Sequence, residues 1–553
     1  MGVLSLVEDR PTPKAVYNWR VYACACIASF ASCTIGYDSA FIGTTLSLPS
    51  FVDEFKFEDM SKDHLALVKA NIVSVYQAGA FFGSLFAYIS SYFFGRRISL
   101  QLFSLIFIVG AGMMLGANGD RGLGLIIGGR VLAGVGVGGA SNMTPIYISE
   151  LAPPAVRGRL VGIYEAGWQI GGLVGFWINY GLSETMAPSH TQWLIPFAVQ
   201  LIPAGLLLFG SVWIRESPRW LFQKGRREEA MKNLCWIRNL PADDLYMVEE
   251  VAYIDAQLEE TRCRSLQEGA MALLPRWYAL HGMSSSQTSS LSMNNALTFP
   301  KWQNSSGINA INYYSPTVFK SIGLNGTNAA FLTTGIFGVV KTTVTFIWLF
   351  FLVEQLGRRK LLMIGAIGGS GCMWFIGAYI KIAGVNSSSA TANSGKGLSG
   401  GGIAAIFFFY LWTAFYTPSW NGVPWIYNSE MFDGNTRSLG QASAAANNWF
   451  WNFIISRFTP QMFLTMEYGV YLFFASLMLL SAVFVYFLLP ETKGVPLEAM
   501  DRLFEIKPTS KAHPTIIKEL REQEESFRND AVGAGLTTEK TKQEFLEKVD
   551  SNV

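Results

Sequence analysis

The sequence predicts an all-α membrane protein of twelve transmembrane helices in two six-helix, pseudo-symmetric halves. Three observations carry that prediction. Long apolar runs recur through a chain that is 50% hydrophobic and 15% charged, where soluble proteins carry about 25% charged residues. Basic residues gather in alternate loops. Short charged motifs occur once in each half.

A bilayer span needs about 20 mostly apolar residues. Such runs lie at 19–42, 70–94, 98–117, 122–145, 160–181, 192–214, 328–353, 360–383, 402–428, 437–460 and 469–489. Val470 to Leu489 carries no charge at all. A weaker candidate at 301–322 completes the second set of six. The expected organisation is a cytoplasmic segment 1–18, a bundle 19–214, a cytoplasmic linker 215–300, a second bundle 301–489 and a cytoplasmic tail 490–553 that reads as solvated.

Arg96 and Arg97 follow span 2, Arg157 and Arg159 span 4, and Arg215, Arg219, Lys224, Arg226 and Arg227 span 6. Arg358, Arg359 and Lys360 follow span 8, and Arg437 span 10. These loops share one side, which the positive-inside rule makes cytoplasmic, with both termini. The loop after span 1 holds Asp53, Glu54, Glu58, Asp59 and Asp63 and faces out. The N-terminus lacks the charged, apolar and small-residue sequence of a signal peptide. Multi-pass insertion in the plasma membrane is expected.

The net charge of +2 gives no electrostatic case for nucleic acid. Six cysteines, three of them in the first apolar run, suggest neither a disulfide framework nor a metal site. All four histidines fall outside the apolar runs, so no histidine relay crosses the membrane. No nucleophile–base set appears. An enzyme, a metal and a cofactor are therefore not expected.

Repeats link the halves. Gly95-Arg96-Arg97 recurs as Gly357-Arg358-Arg359, and Glu150 with Arg157 recurs as Glu430 with Arg437 at the same spacing. Glu216 after span 6 is echoed by Glu491 after span 12. Two halves in parallel orientation explain this, with a substrate site between them near the midplane. Arg96, Glu150, Arg157, Glu216, Arg358, Glu430 and Arg437 then read either as topology signals or as a cytoplasmic gate whose contacts form in one conformation only.

Charges inside spans are costly and point to function. Asp38 in span 1 and Arg130 in span 4 satisfy one another either as a fixed ion pair or as a switch in which protonating Asp38 releases Arg130. Glu165 lies in span 5, and Lys341 near the middle of span 8 either snorkels or lines a cavity. Gly134, Gly136 and Gly139 spell a dinucleotide fingerprint, but inside an apolar helix they read as close helix contact.

GGRVLAGVGVGG at 128–139, PIYISELAPPAVRGRL at 145–160, RESPRWL at 215–221, QNSSGINAINYYSPTVF at 303–319, VEQLGRR at 353–359, GVPWIYNSEMF at 422–432 and PETKG at 490–494 resemble the sugar porters of the major facilitator superfamily. The opening from Glu8 to Leu46 and NWFWNFIISRFTPQMF at 448–463 resemble the fungal quinate permeases within it. That resemblance implies import of a small polyhydroxylated ring by proton symport. It implies a proton-coupling role for Asp38 with Arg130, and substrate contacts from Gln303, Asn304, Asn309, Tyr313, Trp425, Asn448 and Trp449. Glu165 stands at the family's usual glutamine, with Gln169 one turn on; with Lys341 they complete the candidate site. Amides suit such a ring because each offers a donor and an acceptor. Hexose, polyol and uronate carriers share the pattern, and a non-transporting sensor is the rival from another class.

Other departures from the pattern are Asn304 for a second glutamine, Tyr92 for an acid before Gly95, and Arg215 for a proline. The largest precedes Gln303, where the family's apolar half-helix is replaced by Ser-rich MSSSQTSSLSMNNALTFPKW at 283–302. Either span 7 is short and irregular, or the stretch is retained intron sequence or marks a lost exon. Asn325-Gly326-Thr327 and Asn386-Ser387-Ser388 are glycosylation sequons in expected outer loops.

Overall fold

The structure is a computed structural model. It describes residues 13–522 except 154–155, 245, 249, 253, 256–257, 260–297, 323–326, 353–355, 384–398, 426, 428–436, 494, 496–502, 505, 510 and 520–521. Glu430, Glu354, both sequons and residues 283–297 of the unusual stretch therefore lie outside the described residues.

Twelve long elements run in order: α1 Trp19–Thr45, α2 Lys62–Phe94, α3 Arg96–Leu115, α4 Gly124–Leu151, α5 Arg157–Thr185 and α6 His190–Trp213. The second half holds α7, in two pieces at 298–304 and Ile308–Ser321, α8 Thr327–Ile347, α9 Arg358–Ala383, α10 Gly400–Tyr416, α11 Arg437–Met466 and α12 Gly469–Leu488. A π-helical turn, Trp348–Leu352, prolongs α8, and another, Thr417–Asn421, prolongs α10. Nine of the described helices are long and apolar enough to cross a membrane. α5 and α11 are as long, at 29 and 30 residues, but carry more polar side chains. Their polarity fits helices that face a partner rather than lipid. Elsewhere lipid-facing surface is plain: Phe209 is 77% exposed and Phe487 65%, the reverse of a soluble surface.

The core divides as the halves do. One apolar cluster draws almost entirely on α1 to α6, the other on α7 to α12. Small residues set the spacing within the first. A Cβ on Gly134 or Gly138 would collide with the backbone of Tyr76 or Ala80 in α2, and one on Gly136 with Phe103 in α3. The glycine triplet is thus a helix-packing device.

α7 is irregular where the described residues begin. Phe299 and Trp302 are packed on Trp420, Tyr427 and Phe484, so the first piece is anchored apolar structure. Gly307, at φ +87°, then breaks the helix.

The described part of the linker is a small packed unit. Helices Pro218–Gln223 and Arg227–Arg238 pack with Met247, Val251 and Ile254 around Trp220 and Leu234. Arg238 ties it to the first half, donating to Leu151 O at 2.6 Å while paired with Glu250 at 2.6 Å. The described part of the tail is likewise packed around Leu503, Ala512 and Ile516, where the sequence suggested solvated chain.

Candidate functional site

Asp38 and Arg130 meet at the centre of the first half. Both side chains are fully buried, with Nη1–Oδ1 at 3.4 Å and Nη2–Oδ2 at 3.3 Å. The Tyr76 ring underlies the guanidinium at 4.8 Å. Arg130 Nε lacks a hydrogen-bond partner, so the arginine is held on one edge only. Tyr76 also meets Trp449 of α11 edge-on, and Trp449 Nε1 donates to Ser141 Oγ at 3.3 Å. The ion pair is thus one aromatic ring away from the other half.

Within the second half, several of the expected amides converge. Asn309 donates to Asn304, and Asn304 donates to Asn448 Oδ1 at 2.6 Å. Gln303 Nε2 donates to the carbonyl of Asn421 at 3.2 Å. Tyr313 Oη accepts from Asn452 Nδ2 at 3.4 Å, and its backbone is where Gly43 of α1 leaves room. In α5, Gln169 Nε2 donates to Glu165 Oε1 at 2.7 Å, and Asn421 donates to the same oxygen from α10. Lys341, 5% exposed, lines a cavity with Ser39, Gln169 and Asn312. The free volume there is about 10 Å³, room for one water molecule.

Among the described residues, no hydrogen bond or ring contact joins Trp425 to this cluster. Trp425 follows the π-helical turn, half-buried, and its backbone bonds to Gly422 O. Sequence reasoning missed Asn421, Asn452, Tyr76 and Gln77, whose amide oxygen accepts from Tyr313 Oη at 3.1 Å. Asn421 lies one residue before a recognised motif. Gln77 and Asn452 are amides within apolar runs, which was the available signal.

The α5–α8 seam closes this arrangement along its length. Gly162 meets Leu349 near the basic end, Thr342 Oγ1 donates to Gln169 O at 3.4 Å in the middle, and Gly335 meets Trp177 near the other end. The two halves are thus in contact along the whole of this seam.

Residues 24–504 match the family described as sugar (and other) transporter. The chain belongs to that family. A quinate permease of Neurospora terricola is 69% identical, covering 95% of this chain and 97% of that one. A probable quinate permease of Aspergillus terreus is 64% identical over 100% and 99%. Among solved structures, the proton:xylose symporter XylE bound to 6-bromo-6-deoxy-D-glucose gives a TM-score of 0.69 at 26% identity, over 88% of this chain and 99% of that one. The xylose transporter XylE from E. coli, partially occluded and inward open, gives 0.68 at 25% identity, over 87% and 100%. The fold is that of the major facilitator superfamily, and the chain is a multi-pass membrane transporter rather than an enzyme.

The transporter's basic end repeats one construction in each half. Glu216 caps the start of α3, accepting from Arg96 N at 2.8 Å, Arg97 N at 3.1 Å and Ser217 N at 2.9 Å. Glu491 caps α9 from Arg358 N at 2.8 Å and Arg359 N at 3.0 Å. First-turn amides have no partner inside their own helix, and the helix dipole favours an anion there. Gly95 at φ +87° and Gly357 at +80° make the turn, and a Cβ on either would press on the capping carboxylate. Burial pushes the Glu216 carboxyl up, against the pull of its amide donors.

Arg96 also pairs with Glu150 at 2.8 Å, with side chains 10% and 15% exposed. The described partner of Glu150 is therefore Arg96, which arrives from the start of α3. Arg157 and Arg437 begin α5 and α11, and their side chains lie outside the described residues. Tyr92, standing where an acid was expected, takes Lys224 over its ring at 3.6 Å, so a cation–π contact replaces an ion pair.

At the opposite end, Glu54 bonds to α6 and to the loop between α3 and α4. It lies 2.9 Å from His190 Nδ1 and accepts from Trp193 Nε1 at 2.6 Å and Gly119 N at 3.1 Å. Partial burial alone lifts this carboxyl; bonds from Trp193, His190 and Gly119 overcome it and hold the group below its usual 4.5.

Proposed function

We propose that this transporter imports quinate with a proton across the plasma membrane by alternating access. The bundles 19–214 and 301–489 rock about the site, with both termini, the linker 215–300 and the tail 490–553 in the cytoplasm. The observation that carries the reading is the fully buried Asp38–Arg130 pair together with a polar cluster in which Gln169 and Glu165 of the first half meet Asn421 of the second. A buried carboxylate whose partner is held on one edge suits reversible protonation. Relatives named quinate permeases, at 64% and 69% identity, favour quinate over a neutral hexose.

Gln169, Gln303, Asn304, Asn309, Tyr313, Asn448 and Trp449 bind the hydroxylated ring, with Glu165, Lys341 and Trp425 completing the site. Each hydroxyl exchanges water for an amide, so a ligand that leaves amides unpaired is penalised by about 1–3 kcal/mol per group. Arg96, Glu150, Arg157, Glu216, Arg358, Glu430 and Arg437 form the cytoplasmic gate, closed in the occluded state.

One proton per quinate anion is electroneutral. The driving force is then the pH gradient, about 1.4 kcal/mol per unit, and not the potential, which supplies about 2.3 kcal/mol per charge per 100 mV. The test is uptake of labelled quinate at pH 5 and pH 7 in cells lacking hexose carriers, with glucose as competitor. Acid-favoured uptake that glucose ignores is expected. Glucose-sensitive uptake indicates a hexose carrier, absent uptake by surface-exposed protein leaves the sensor reading, and a quinate-induced current refutes the one-to-one coupling.

A further inference from the structure

Within the reading of the site as one that takes a carboxylated ring, two cations compete for the carboxylate. Arg130 is 0% exposed, bonded twice to Asp38, and is not among the cavity-lining residues. Lys341 lines the cavity, and among the described residues no carboxylate lies within 4.0 Å of its ammonium. The carboxylate bonded to this cavity's lining is Glu165, which accepts from Gln169 Nε2 at 2.7 Å, and Gln169 and Lys341 line the same cavity.

These two groups belong to opposite halves. Glu165 rides on α5 of the first, and Lys341 on α8 of the second. Glu165 is also tied to Asn421 of the second half. In this contracted state, with about 10 Å³ free, Glu165 supplies the negative charge that a buried lysine requires. Admitting a ring means parting α5 from α8 at this level, which removes Glu165 from both Asn421 and Lys341.

We propose that Lys341 receives the substrate carboxylate and that Glu165 is its stand-in when the site is empty. The substrate's anion replaces Glu165 on loading. Glu165 returns once the substrate has left, so the empty carrier can close without a bare ammonium in its interior. Lys341 thereby selects carboxylated over neutral rings, and Glu165 sets both the affinity for the anion and the speed of the empty return.

The test compares quinate with its neutral amide as inhibitors of labelled quinate uptake in wild type, K341Q, K341R and E165Q, each normalised to surface protein. Wild type should favour the anion at least tenfold. K341Q should lose that preference, while K341R keeps it. E165Q should bind quinate several-fold more tightly and slow net uptake several-fold more than it slows exchange. An anion preference unchanged in K341Q overturns the proposal, as does an E165Q that slows exchange and net uptake equally. A K341R that folds and transports but shows no preference also overturns it. Wild-type protein that carries a neutral ring and no carboxylate removes the quinate reading and this one together; quinate uptake with an unchanged K341Q ratio removes this one alone.

Discussion

Replacing Glu216 with Gln tests the latch at the basic end most directly. The carboxylate accepts from Arg96 N, Arg97 N and Ser217 N. A glutamine keeps one acceptor oxygen and turns its NH2 toward the remaining donors. Hydrogen bonds to a charged group contribute about 1.5–3 kcal/mol, against about 0.5–1.5 for neutral ones. Two weakened bonds, plus about 0.5 kcal/mol of lost interaction with the α3 dipole, amount to about 3 kcal/mol. If the latch exists only in the closed state, that is a shift of about 100-fold in the opening equilibrium. Hydrogen exchange reads it directly, because Arg96 N and Arg97 N have no acceptor inside α3 and owe their protection to this side chain. The amides at 96 and 97 should exchange about 100-fold faster in E216Q, while those in the middle of α3 stay unchanged. Exchange at 96–97 within threefold of wild type would refute the reasoning.

Four more outcomes follow from the same contacts. D38N should abolish uphill quinate accumulation yet spare exchange, since the amide cannot cycle a proton but still offers Arg130 an oxygen; full accumulation would remove Asp38 from coupling. G357A forces a side chain to φ +80° against Glu491 and should cost about 2 kcal/mol in detergent unfolding, which a neutral result contradicts. For Glu54 the folded carboxyl lies below its usual 4.5, so its stabilisation is present above that value and is lost as the pH falls through the folded value. The melting difference between wild type and E54Q should therefore be constant above pH 5.5 and shrink below pH 4.5, and a difference that persists in full at pH 3 contradicts it. Finally, an mRNA that encodes residues 260–310 verbatim would exclude the retained-intron reading of the Ser-rich stretch.

The apolar runs at 19–42 and 470–489 were legible because a bilayer admits little but hydrocarbon over that length. α5 and α11 show the limit of that rule. Their polar residues line the seam between halves and lower their hydropathy, so the runs at 160–181 and 437–460 stand out less sharply than those at 19–42 and 470–489. The pairing of Asp38 with Arg130 was legible because two buried charges on neighbouring helices must meet. The contact of Glu150 with Arg96 was not, since spacing within one segment says nothing of which side chain arrives from α3.

The capping role of Glu216 and Glu491 was hidden for a different reason. Their acceptors are filled by backbone amides, which every sequence possesses and none advertises. The Gly-Arg-Arg repeat drew attention to the arginine side chains, whereas what recurs in both halves is a glycine that frees two amides for a carboxylate. The guanidinium groups are then available for other work: Arg96 reaches Glu150, and Arg97 and Arg359 reach the last carbonyls of α6 and α12, at Val212 and Tyr486. In each half a carboxylate lies at the start of one helix while an arginine from that helix lies at the end of another. Breaking the carboxylate's bonds would thus loosen two helices at once. A latch built in this way can hold a half rigid and still release as a unit, which is what rocking two bundles about one site requires.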